Sequence, residues 1–153
     1  MTSTSALKPL ATDLRLAEYR RIFKTLPPLA SEQFEGRYVG LLLGSAAFQR
    51  VFRQMLAWGG LAGWAGKEFH GGDGVNLCLR NGDETRVAPM KVQGTVKSVI
   101  DGQVTLALTY YKYPLALLTD EIRAYDSDTV LGMTYVNVGP LKYFPLPFAL
   151  RRP

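Results

Sequence analysis

One histidine, one cysteine, eight tyrosines and thirteen carboxylates are the groups in this sequence best able to carry chemistry. His70, being single, excludes a two-histidine metal site and paired-histidine acid–base catalysis, and leaves axial ligation of a single haem iron open. It stands between Phe69 and Gly71-Gly72, the exposed start of a turn, where a plain surface histidine is the simplest reading. Cys78 can form neither an intrachain disulfide nor a cysteine-based zinc site, and its strand context reads as a buried, inert thiol. The carboxylates of Asp83-Glu84, Asp120-Glu121 and the near pair Asp126 and Asp128 fall at expected strand ends or turns. Neighbours in a strand point to opposite faces, so no adjacent pair shares a catalytic proton, and solvated turn charge is the expectation. No serine lies in a Gly-x-Ser-x-Gly elbow, and no glycine-rich segment matches a phosphate loop or a dinucleotide fingerprint. The sequence therefore points to no catalytic residue, no metal and no cofactor.

Aromatic and sulfur-bearing side chains are the better candidates for binding. Tyr110, Tyr111, Lys112 and Tyr113 end a long strand, and alternation sends Tyr111 and Tyr113 to one face and Tyr110 and Lys112 to the other. Such rings, with an apolar body and a polar tip, suit a pocket mouth as well as an exposed strand end. Trp58, Trp64, Phe69, Tyr111, Tyr113 and Met133 are the expected lining of an apolar pocket, and its polar anchor is sought among Arg53, Lys67, Arg80 and Tyr111.

Two helices and a run of strands must position these groups. Between Thr12 and Leu26 the residues Leu16, Tyr19, Phe23 and Leu26 keep helical spacing, with Thr12 as the expected cap and Pro27-Pro28 as the stop. A strand over Phe34–Leu43 leads through Gly44 to Ser45, an N-cap for a second amphipathic helix, 46–58, whose Phe48, Val51, Phe52 and Met55 share one face. From Gly63 onward short strands alternate with turns, over 63–69, 75–80, 84–100, 103–113, 119–125 and 129–137. Asn81-Gly82 and Asp101-Gly102 favour tight type I′ hairpins. Val104, Leu106, Leu108 and Tyr110 alternate with more polar residues, which predicts a sheet with one apolar face. So many strands with open edges invite aggregation, and closure removes the edges. A mainly β fold follows: a small antiparallel up-and-down barrel over 34–137, with an N-terminal helix at 12–26, a lid helix at 46–58 and an extended, proline-broken segment over 138–153, in one domain spanning 1–153.

Composition sets the class. Apolar residues make up 47% and charged residues 20% of the 153, which suits one globular core and not a disordered chain. The uncharged stretch Val39–Gln49 falls well short of a membrane-crossing helix, and the N-terminus lacks a basic start with an apolar run behind it, so a soluble, cytoplasmic protein is expected. A net charge of +5 permits attraction to anionic partners. Its basic residues are scattered, with Arg15, Arg20, Arg21 and Lys24 the nearest to a cluster, and no nucleic-acid motif surrounds them. Nucleic acid is not an expected partner, and the sequence leaves the oligomeric state open.

At Gly36-Arg37-Tyr38-Val39-Gly40 and again at Gly63-Trp64-Ala65-Gly66-Lys67-Glu68-Phe69 the chain resembles the GXWXG family of small bacterial proteins. The segment Asp120-Glu121-Ile122-Arg123 through Asp128-Thr129-Val130-Leu131-Gly132-Met133 looks like the domain of unknown function that adjoins that family on its C-terminal side. Tyr38 stands where the motif expects tryptophan. The chain also resembles the lipocalin and fatty-acid-binding (calycin) pattern, in which an early ring packs on a late arginine. That resemblance implies Tyr38 and Arg123 as the pair closing one end of the barrel, the guanidinium lying on the ring.

The leading functional expectation is a binding module whose apolar interior holds a lipid, fatty acid or similar hydrophobic metabolite beneath the lid helix. An enzyme acting on a hydrophobic substrate, or a haem protein using His70, is the alternative. A third reading is a structural protein that sets its basic first helix and the apolar run Pro140–Phe148 against an anionic membrane.

Overall fold

Each of eight antiparallel strands pairs with the next, and the eighth pairs back to the first, so the sheet closes on itself and has no free edge. The computed structural model describes residues 8–153. The strands are β1 (Gly36–Leu42), β2 (Trp64–His70), β3 (Asp73–Arg80), β4 (Asp83–Lys97), β5 (Val104–Tyr110), β6 (Leu118–Ala124), β7 (Thr129–Val136) and β8 (Leu146–Arg151). Helix α1 (Leu16–Thr25) precedes β1, and helix α2 (Ala46–Trp58) joins β1 to β2. This is the expected barrel, with the strand limits moved by a residue or a few.

Up-and-down connectivity places alternate connections at opposite ends. One end, the lid end, carries α2, the Asn81-Gly82 turn, residues 111–117 and residues 137–145. The far end carries the turns after β2, β4 and β6. Asn81 and Gly82 both have positive φ, 52° and 81°, between the paired residues Arg80 and Asp83, as a type I′ hairpin requires. Asp101-Gly102 makes no such turn: β4 ends at Lys97 and β5 begins at Val104, and the longer loop turns the Asp101 carboxylate onto Arg123.

The wall separates two cores. Inside, Tyr38, Phe69, Met90, Leu106, Leu108, Ile122 and Phe148 are buried, and at the far end Phe34 plugs the barrel, with ring centroids 5.0 Å from Tyr38 and 4.1 Å from Phe69. Outside, Tyr19 and Phe23 of α1 pack on Leu43, Leu131, Met133 and Ala149. Strand β7 is covered on both faces, which is why nearly every residue in it is buried. Burying Tyr19 and Phe23 fully stabilises this docking by about 1.5–3 kcal/mol per side chain.

Three expectations need correction. Helix α1 starts at Leu16, and its N-cap is Arg15 with no side-chain cap. Thr12 is drawn off by its carbonyl, which accepts the Gly44 N–H at 3.0 Å and ties the extended entry segment to the barrel rim. The C-terminal segment does not merely wrap the barrel: Leu146–Arg151 is a strand between β7 and β1, so the barrel runs on past Asn137 and needs this segment to close. Pro147 is tolerated as the second residue of that strand, near its start, where a missing N–H costs least. Finally, Tyr38 and Arg123 are not a pair. Tyr38 faces inward and meets Arg152, whose guanidinium carbon lies 4.8 Å from the ring centre, whereas Arg123 points outward beneath α1, 4.3 Å from the Phe23 ring centre and doubly bonded to Asp101.

Candidate functional site

Five polar side chains from five strands meet inside the otherwise apolar barrel. Alternation puts them there: Lys67 shares an inward face with Phe69, and Asp120 with Ile122, because residues two apart in a strand point the same way. Lys67 on β2 and Asp120 on β6 are each 2% exposed, and Asn76 on β3 is fully buried. The Lys67 ammonium donates to Asn76 Oδ1 at 2.8 Å and to the Tyr110 hydroxyl at 2.6 Å, and lies 3.4 Å from Asp120 Oδ2. Tyr110 donates to Asp120 Oδ2 at 2.8 Å, and Thr134 of β7 donates to Oδ1 at 2.8 Å. Trp64 Nε1 donates to Asn76 Oδ1 at 3.0 Å, while Asn76 Nδ2 donates to the Ala88 carbonyl at 3.1 Å. Ala88 has φ of 52°, an uncommon conformation for a residue with a side chain, so local backbone strain accompanies the network.

Burial pushes the Lys67 ammonium below the usual lysine range, and the facing Asp120 carboxylate opposes that shift. Burial, reinforced by Asp120, pushes the Tyr110 phenol well above its ordinary value. The tyrosine proton is therefore committed to Asp120, and Lys67 and Asp120 balance one another's charge. Such a network is built to hold a polar group in a fixed orientation.

Beside the network lies a cavity of about 20 Å³, lined by Lys67, Tyr110, Asp120 and Thr134 on the polar side and by Phe52, Leu56, Leu61, Trp64, Leu118 and Phe148 on the apolar side. That is room for about one ordered water. Phe52 and Leu56 come from α2, whose start is fixed by the Ser45 hydroxyl accepting the Phe48 N–H at 3.2 Å. On the solvent side a cleft of about 330 Å³ runs between α2 and the paired strands β1 and β2, with Arg53 and Gln49 on its wall, and shares Leu56, Leu61 and Trp64 with the inner cavity. Those three side chains are thus the partition between solvent and the buried lysine. The benzo end of the Trp64 indole lies against Gly40: a Cβ there would stand 2.4 Å from it. This packing accounts for Gly40 and Trp64 in the two sequence motifs.

The expected site residues divide sharply. Trp64 and Arg53 line the cleft, and Lys67 is the buried anchor. Phe69 is inside but belongs to the plug at the far end. Met133 is buried on the outer face of the wall, under α1. Trp58, Tyr111 and Tyr113 are exposed at the lid end, with Tyr111 donating to Asp73 and Trp58 edging an apolar groove of about 100 Å³ between α2 and residues 114–118. Arg80 donates outward to the Gly60 carbonyl. His70 projects from the end of β2 against Glu68, largely in solvent, and lines neither the cavity nor the cleft, so nothing in its surroundings supports a haem role. The reading of Asp120-Glu121 as solvated turn charge is overturned, since both are buried: Asp120 faces in, and Glu121 faces out and accepts the Val99 N–H. Asp120, Asn76, Tyr110 and Thr134 complete the site; alternation from Ile122 could have found Asp120, and Tyr110 shares the apolar face of Leu106 and Leu108, whereas Asn76 and Thr134 carried no such signal. Cys78 is buried in the inner core, and burial pushes its thiol up.

The fold and site together define a closed eight-stranded antiparallel barrel with a buried charged centre under a helical lid. No protein-family model matches the chain, and no curated protein matches it. Among solved structures, a protein from Thermomonospora curvata, described only as such, is similar over 92% of this chain and 89% of its own, with a TM-score of 0.71 and 21% identity. That likeness supports the barrel and carries no activity with it.

Proposed function

We propose that the barrel binds one small apolar molecule carrying a single uncharged hydrogen-bonding group, an alcohol, a carbonyl or a protonated acid, beneath α2. The observation that carries this reading is the Lys67–Asp120–Tyr110 network facing a one-water cavity behind a partition of three apolar side chains. A hydroxyl or carbonyl can take the place of a water among these donors and acceptors. A carboxylate cannot do so cheaply, because Lys67 is already neutralised by Asp120, and a second buried anion would stand unpaired. This narrows the expected lipid or fatty acid to a ligand whose head is neutral when bound. The apolar body would lie along the partition and into the cleft, with Leu56 and Phe52 moving as α2 shifts. A closed interior of this size admits nothing larger than water until they do.

Native mass spectrometry and solvent extraction of the purified protein test the reading at its simplest, followed by titration with a medium-chain primary alcohol and with the carboxylate of equal length. The expected result is saturable binding of the alcohol at one equivalent, lost in Leu56→Trp, with the carboxylate much weaker at neutral pH. Equal binding of both, or of neither, counts against it.

A further inference from the structure

We propose that the lid end of the barrel docks on an anionic lipid bilayer. Among the described residues, the exposed large hydrophobics gather at that end, and only Val39 and Val104 lie elsewhere. Trp58 is 72% exposed at the end of α2, Tyr113 is 76% exposed in the β5–β6 connection, and Phe144 is 69% exposed in the β7–β8 connection, with Val51, Leu141 and Tyr143 also open to solvent. Three separate connections thus present aromatic and aliphatic tips at one end of one barrel. Exposed apolar surface in that quantity marks an interaction site, and Trp and Tyr are the residues that settle at a membrane–water interface.

Charge selects the partner. The segments 43–63, 111–117 and 137–145 hold Arg50, Arg53, Lys112 and Lys142 and contain no Asp or Glu. The acids bordering this end are Asp13 before α1 and the Asp83-Glu84 pair on the β3–β4 hairpin, where Glu84 is bound to Arg37; Asp73, at the start of β3, is reached by the Tyr111 hydroxyl. The far end is mixed in sign: Asp126 and Asp128 stand there beside Lys97, Arg151 and Arg152, and Asp101 is taken up by Arg123. The four cations of the acid-free lid-end segments therefore favour an anionic surface at that end. A second copy of this chain is a poorer fit, because a two-fold pairing of the same face would set Arg50, Arg53, Lys112 and Lys142 against their own kind. The sequence points to the first helix and the run Pro140–Phe148 as the membrane-facing elements. In the fold the apolar face of α1 is spent on the barrel wall, whereas Leu141, Tyr143 and Phe144 of that run are exposed at the lid end, joined there by Trp58 and Tyr113.

Membrane docking is independent of what the barrel holds. Its test is co-sedimentation of the full chain with vesicles of phosphatidylglycerol and phosphatidylcholine in equal parts, against vesicles of phosphatidylcholine alone, with tryptophan emission followed in parallel. Binding to the anionic vesicles at low salt, a blue shift of the emission, and loss of binding at high salt are expected. Lys112→Gln and Lys142→Gln should each lower the partition coefficient by about fivefold. The double variant Trp58→Ser with Phe144→Ser, both at exposed positions, should abolish binding while leaving the thermal melt unchanged. Protein that stays in the supernatant with anionic vesicles at low salt overturns the proposal, as does sedimentation indifferent to the double variant. Self-association in sedimentation velocity that Trp58→Ser abolishes would assign the face to a second copy and overturn it equally.

Discussion

Lys67 and Asp120, on opposite flanks of the barrel, bring a cation and an anion to within 3.4 Å inside an apolar core, and Tyr110 bridges them. A buried pair of this kind adds little net stability, because desolvating both charges offsets their attraction, yet removing one partner leaves the other uncompensated. The proposed ligand site therefore rests on the polar groups this pair presents to the inner cavity, not on the pair's contribution to stability.

Lys67→Met and Asp120→Asn are each expected to destabilise the fold, by about 3–5 kcal/mol where a full buried charge is stranded. The double variant should recover most of that loss. Urea denaturation of the four proteins gives the coupling. Additive losses would mean that the two groups do not sense one another.

Stability should rise with alkaline pH on account of Lys67. Its folded pKa lies below the unfolded value, so between the two the unfolded chain binds the extra proton and the folded chain does not. The burial cost of the ammonium is borne below the folded pKa and relieved as pH rises through it toward the lysine value. Comparing melts of the wild type and Lys67→Met across neutral to alkaline pH isolates this contribution.

The Arg123–Asp101 pair carries a dependence on the acid side. Arg123 is 1% exposed and donates to both carboxylate oxygens, at 2.6 and 2.8 Å, and its hydrogen bonds hold Asp101 below the usual carboxylate range. That stabilisation is present above the unfolded pKa of Asp101 and is lost as pH falls through its depressed folded value. Asp101→Asn is expected to cost about 3 kcal/mol at neutral pH and little in strong acid.

Glu121 is a second acid-side test with a different sign. Burial raises its pKa, and its Oε1 has no hydrogen-bond partner among the described residues. The folded chain therefore holds a proton that the unfolded chain has lost, and stability falls as pH rises from the unfolded to the raised folded value. Glu121→Gln should stabilise the protein by about 1–2 kcal/mol at neutral pH, since it removes a buried charge, and less in acid. Thermal melts at the two pH values decide it.

The barrel was legible because period-2 alternation, the Asn81-Gly82 turn and the regular strand spacing agreed. The Ser45 cap was legible for the same reason, being local, whereas the face of α2 was read only in part: Phe52 is buried, but Val51 is exposed and Leu56 takes its place against the barrel. What escaped were features set by partners far apart in the chain. Pro145 and Pro147 concealed β8, whose pairing with β1 spans most of the chain. The tyrosine–arginine pair failed because Arg123 has the parity of Glu121, outward, while Asp120 has that of Ile122, inward. Adjacent acids at a strand start looked like solvated charge, and only the inward face of β6 shows that one of them meets Lys67. Met133 and Phe69 were equally apolar in the sequence, and only the position of α1 puts the first outside the wall.

The most direct test uses the two tryptophans. Trp58→Phe leaves Trp64, on the partition between cleft and cavity, as the sole indole, and its emission can be followed while a medium-chain primary alcohol is titrated in. Ligand binding at the Lys67 centre predicts a saturable change at one equivalent that is lost when Lys67→Met removes the head-group partner, and a far weaker response to the carboxylate of equal length. A flat or unsaturable response of Trp64, or one indifferent to Lys67, would contradict it.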